Sequence, residues 1–178
     1  AWIVENLPRA VQEPTDPQPR EPLALAATLA GAAFNEAGVT VAHAIAHALG
    51  ALLGVPHALA VAAATLPSLR FNAEVCLMQY AELAGALGIS ADSPGQRAAA
   101  FIEKIADLLC SVGLPDRIPA PQGSSPDLLD RLVENAIQGT PSAVALNPRK
   151  VDAPAMHGLF EEILATTESD GDRRGSKG

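Results

Sequence analysis

Aromatic residues are scarce in this chain: one Trp, one Tyr and four Phe, 3% of its 178 residues. Hydrophobic residues nonetheless make up 48%, so Ala, Leu and Val carry the apolar content. A sheet draws on β-branched and aromatic runs, which are few here, whereas Ala and Leu are strong helix formers. The composition predicts an all-α domain, a helical bundle whose helices approach closely. Cysteine is also sparse. Cys76 and Cys110 are too few for a disulfide scaffold, and both are expected to be buried, reduced thiols. Positive charge is in deficit, 12 Lys and Arg against 20 Asp and Glu, for a net charge of −8. Phosphate binding needs a basic patch, so nucleic acid is excluded as a partner.

Two further absences narrow the class. The apolar stretch from Leu23 to Leu66 is interrupted by Asn35, Glu36 and histidines, which argues against a membrane span. The opening Ala1-Trp2-Ile3-Val4 lacks the basic region of a signal peptide, so a cytoplasmic location is expected. Met does not open the chain, and a fragment or processed product is the expectation.

What is present reads as a series of helices. One ends near Val11, before a loop with prolines at 14, 17 and 19. A second opens at Glu21-Pro22 and runs to about Asn35, with Ala27, Ala30 and Gly31 suited to a close neighbour. A third covers Thr40 to about Leu53. After Gly54-Val55-Pro56 a long apolar helix extends towards Met78, with a kink or break expected at Pro67. A short helix is read over 79–87. Ser93-Pro94 opens another, with Phe101, Ile105, Leu108 and Leu109 at helical spacing. Ser125-Pro126-Asp127 is read as the N-terminal cap of the next, and the last spans Ala153 to about Ala165. The domain is placed at 1–167, with a disordered tail over 168–178.

Three of the four histidines, His43, His47 and His57, fall within fifteen residues. Four residues apart on a helix, His43 and His47 share a face. Two such imidazoles can coordinate one divalent ion, or one can bind while the other relays a proton. His57 follows a turn able to fold it back to the same point. The alternative is that each imidazole donates to a backbone carbonyl and packs among the surrounding Ala, Leu and Ile. Spacing alone leaves both readings open.

Longer motifs separate them. Ala33-Phe34-Asn35-Glu36-Ala37-Gly38, His43-Ala44-Ile45-Ala46-His47-Ala48-Leu49-Gly50 and Pro56-His57 closely resemble the C-terminal signature of the iron-containing (group III) alcohol dehydrogenases. The resemblance continues through Leu66-Pro67-Ser68-Leu69-Arg70-Phe71-Asn72, Asn147-Pro148-Arg149 and Leu159-Phe160-Glu161-Glu162-Ile163-Leu164, in the family's order. Thr40 stands where glycine is common, Glu36 where Asn is, and Ala58 where Gly usually follows Pro-His.

The resemblance implies an Fe²⁺ site, in some relatives Zn²⁺, with His43 and His57 as ligands and His47 as a nearby proton relay. The first two ligands, an Asp and a His, belong to a helix expected to precede Ala1. NAD(P) is expected to be held by an N-terminal nucleotide-binding domain, since no Gly-rich phosphate loop occurs in this chain. Phe34 and Val39 are candidates for the substrate cleft. A small alcohol or aldehyde is the implied substrate, and a homo-oligomer the implied assembly. The chain alone is expected to be inactive and to expose the apolar face that normally packs on the missing domain. A truncated, non-catalytic helical module that binds metal weakly or acts as an interaction domain is the alternative. A zinc enzyme like dehydroquinate synthase or glycerol dehydrogenase is a third. Asn147 and Arg149 are read as capping the last helix or as chemical groups, and His157 as a surface residue.

Overall fold

The computed structural model describes residues 1–121 and 125–165. The elements, in order, are α1 (Trp2–Gln12), α2 (Arg20–Ala37), α3 (Val41–Leu53), α4 (His57–Asn72), α5 (Leu77–Ala86), α6 (Pro94–Ser111), β1 (Ile118–Pro119), α7 (Leu128–Gly139), α8 (Pro141–Ala145), α9 (Ala153–Ile163) and β2 (Leu164–Ala165). The all-α expectation holds. The exception is a two-residue parallel pairing, Ile118 with Leu164 and Pro119 with Ala165. The tail from Glu168 onward lies outside the described residues.

Helix α3 is the centre of the main core. Val41, Ala44, Ile45, Ala48 and Leu49 have no exposed surface, and the helix packs against α4, α7 and α8. From α9 the core receives Met156, Phe160 and Ile163, all fully buried. The many alanines let helix axes come close, and the few large side chains fill what remains. A second core joins α5 and α6 to the end of α4, with Leu66, Tyr80, Ala84, Ala98, Phe101 and Ile102 buried together. Cys76 is buried there, but Cys110 is exposed, which corrects the expectation of two buried thiols; both are free.

Local chemistry explains most boundaries. Ser93 and Gln96 form a reciprocal capping box at the start of α6: Gln96 N–H donates to Ser93 Oγ at 3.2 Å and Ser93 N–H to Gln96 Oε1 at 3.1 Å. Gly54 stops α3 in the left-handed region, φ 66°, and Val55 N–H then closes on Leu49 O at 3.4 Å. The cap of α7 is Asp127, not Ser125. The Ser125 hydroxyl instead donates to the Asp127 carboxylate, which holds that carboxyl below its usual range.

The predicted break at Pro67 does not occur. An internal proline removes one backbone donor and crowds the preceding turn, at a cost of about 3 kcal/mol. Here Leu66, Pro67 and Ser68 are all buried in a helix that packs on α6 and α9, and that packing carries α4 through to Asn72. Its end is held from a distant segment. The buried amides of Asn72 and Asn147 donate to each other's oxygens, at 3.0 and 2.8 Å. Arg149 Nη1 donates to Phe71 O at 2.9 Å, and its guanidinium lies 4.5 Å from the centre of the Phe71 ring. Asn147 and Arg149 therefore clamp α4. Asp152, which accepts from Ala155 N–H at 3.0 Å, is the cap of α9. Removing one amide strands a buried donor and acceptor on the other, so Asn147→Ala is expected to destabilise the chain by about 2–3 kcal/mol in urea unfolding. A loss under about 0.5 kcal/mol would show that the pair contributes little.

Helices α1 and α2 pack on each other and bury no residue completely. Among the described residues the close neighbour expected at Ala27, Ala30 and Gly31 is absent; both alanines are exposed, and nothing lies within 4 Å of a Cβ built on Gly31. Between this pair and α5–α6 lies an apolar groove of about 440 Å³, lined by Trp2, Ile3, Leu29, Leu83, Phe101 and Ile105 among others. No histidine lines this groove. Among the described residues no single helix is long and apolar enough to cross a membrane. The pair α2 and α3 reaches that length and composition only together, bent by 101°.

Candidate metal centre

The histidine cluster is built by the α3–α4 turn. His43 and His47 stand one helical turn apart on α3, and Gly54-Val55-Pro56 sends the chain back so that His57 opens α4. The His57 ring lies 5.6 Å from that of His43 and 5.5 Å from that of His47, centre to centre. Three positions that sequence spacing could only suggest are thus brought to one place. His57 is near both α3 histidines, so distance does not choose a pair.

Exposure distinguishes the three. His47 and His57 are exposed, and His43 is half-buried. Burial lowers the His43 pKa, and the neighbouring His57 and His47 imidazoles lower it further. A neutral His43 keeps a nitrogen lone pair for a metal to lower pH than a free imidazole would. Two imidazoles sharing one ion at metal–nitrogen distances of about 2.1 Å have ring centres roughly 5 Å apart. The donor chemistry and spacing fit a borderline divalent ion. Among the described residues, however, no group of three or more His, Cys, Asp or Glu side chains is disposed to hold one unaided.

The remaining predicted residues are more dispersed. Phe34 is exposed near the end of α2, and Val39 leans on the main core from the α2–α3 corner. His157 is partly exposed on α9, with Nδ1 3.6 Å from Glu161 Oε1. Sequence reading missed Asn72 as the partner of Asn147, 75 residues away, because no local pattern announces such a pairing. It also missed Leu146, whose side chain sits against Gly38.

The fold and site are those of a helical domain that carries a cluster of three histidines at a helix–turn–helix. Residues 1–164 match the C-terminal region of the Fe-containing alcohol dehydrogenase family, and the chain belongs to that family. It is 36% identical over 168 residues to 1-propanol dehydrogenase PduQ of Salmonella typhimurium, covering 91% of this chain and 45% of that protein. Its fold superposes with a TM-score of 0.83 on the crystal structure of a 1,3-propanediol oxidoreductase, at 29% identity over 91% of this chain and 42% of that one. An alcohol dehydrogenase from Oenococcus oeni gives 0.81 at 30% identity, with the same coverages of 91% and 42%. The chain spans less than half the length of these relatives.

Proposed function

We propose that this chain is the helical, metal-binding part of an NAD(P)-linked alcohol dehydrogenase acting on short primary alcohols and their aldehydes. The observation that carries the reading is the convergence of His43, His47 and His57 at one surface site, in a chain of this family. His43 and His57 are the residues that hold iron or zinc. The chain's donor set is incomplete, so the remaining ligands come from outside it. When bound, the ion supplies Lewis acidity, polarising the alcohol or aldehyde oxygen.

The chain's own residues do the rest of this half's work. His43, neutral and half-buried, offers a fixed nitrogen from the first turn of α3. His57 is oriented by Pro56, whose φ of −55° sets the entry to α4. His47, exposed beside His57, takes up the hydroxyl proton during alcohol oxidation and passes it to water. A bound nicotinamide would supply the hydride acceptor, so that alcohol and NAD(P)⁺ would give aldehyde, NAD(P)H and the one proton that His47 takes up. The nicotinamide is held by the part of the enzyme that this chain does not span. Relatives named for 1-propanol and 1,3-propanediol support a three-carbon alcohol as the first substrate to test.

The test is an assay of the complete polypeptide with 1-propanol and 1,3-propanediol, each with NAD⁺ and NADP⁺. Turnover should disappear on chelation and return with Fe²⁺ or Zn²⁺. A folded, metal-loaded protein that turns over neither alcohol with either nucleotide would overturn the reading and leave the non-catalytic module.

A further inference from the structure

At the corner between α2 and α3, Gly38 meets the side chain of Leu146, a residue outside the buried main core. Gly38 ends α2 at φ 75° and ψ −174°, a conformation essentially confined to glycine. Its N–H closes on Phe34 O at 2.8 Å, and the helices on either side diverge by 101°. A Cβ at this position would lie 2.5 Å from Leu146 Cδ1, so the leucine methyl occupies the space that glycine leaves free. Leu146 is itself 53% exposed. Burial of its own surface therefore gives only part of a reason for a leucine there.

The segment that carries Leu146 is anchored firmly. Leu146 caps α8, and the next residues are the clamp on α4, through Asn147 to Asn72 and Arg149 to Phe71. Residues 146–149 thus tie the end of α4 to the α2–α3 corner. From that corner, Val39 and Thr40 lead directly into the first turn of α3. Thr40 O accepts from His43 N–H at 2.9 Å and from Ala44 N–H at 3.4 Å. α2, which buries no residue completely, has little else of its own to fix the corner.

We infer that Leu146 is a positioning residue: seated on Gly38, it fixes the α2–α3 corner and with it the turn that presents His43. The inference rests on the reading of His43 as a metal ligand. Leu146→Ala removes the methyl groups that fill the corner, while Leu146→Met keeps comparable volume. Both variants are made in the complete polypeptide and compared by amide hydrogen exchange and by Co²⁺ titration followed through its visible absorption. In Leu146→Ala, exchange over residues 34–44 should rise about tenfold while α5 and α6 stay unchanged. Co²⁺ affinity should fall about tenfold, and Leu146→Met should restore both. Unchanged exchange at the corner overturns the inference. So does an equal rise in all helices, which would mark ordinary loss of packing. A loosened corner with unaltered Co²⁺ affinity also overturns it, because His43 would then not depend on Leu146. If the unmodified protein fails to bind Co²⁺, the functional reading falls, and exchange alone decides whether Leu146 holds the corner.

Discussion

Replacing His43 by Ala in the complete enzyme is expected to lower divalent-metal affinity by at least about 100-fold and to remove alcohol oxidation with it. Loss of an outer partner of a metal ligand alone costs roughly 10–100-fold, so loss of a ligand should cost no less. His57→Ala should behave alike, because the two rings stand 5.6 Å apart and serve the same ion in the proposed reading. His47→Ala is the informative contrast. A proton relay contributes about 10²–10⁴ to rate without holding the metal, so this variant should keep its metal and lose turnover. Metal content by elemental analysis, set beside kcat for each variant, separates the roles. Retained metal in His43→Ala together with lost metal in His47→Ala would transfer the ligand assignment to the other α3 histidine, which is equally close to His57.

Phe160→Ala should be the most destabilising of the substitutions considered, at about 3–5 kcal/mol. Phe160 is fully buried on α9, in the core that also contains Ile45, Leu49, Leu132 and Met156. Among the described residues, eight of the other eighteen buried in that core are alanines, whose short side chains cannot extend into the space left by a lost phenyl ring. That argues for an open cavity and a cost near the top of the range. Against a total stability of about 5–15 kcal/mol for a domain, such a loss should be plain as a lower urea midpoint at unchanged slope. Phe34→Ala offers the opposite case. Phe34 is 57% exposed, so the same deletion should leave stability within about 0.5 kcal/mol. If Phe34 faces the substrate cleft, its loss should appear instead in KM for the alcohol. A Phe160→Ala cost below about 1 kcal/mol would mean that the core closes around the gap.

Much of the fold was legible because its signals are local. Ser93-Pro94 at the start of α6, Gly54 at the end of α3, and the Ala- and Leu-rich periodicity each act within a turn or two of helix, and the structure places those elements where the pattern does. The histidines were legible in the same way, as residue types at a helical spacing followed by a turn. The misreadings have separate causes. Pro67 carries a local rule that predicts a break, but burial of its neighbours between α6 and α9 overrides it. Ser125 has the composition of a cap, yet its hydroxyl turns to Asp127. The small residues of α2 suggest close packing, yet that face is bare.

From residue order alone came the helical class, the turn that returns His57 towards α3, and the family motifs along the chain, since each depends on bonds and side chains within a few residues. Only the folded arrangement decided which histidines meet, that His57 lies equally near His43 and His47, and that a loop around Asn147 holds α4 from 75 residues away. Those facts depend on where whole helices pack, and packing is settled by the summed burial of distant side chains, which no short window of sequence contains.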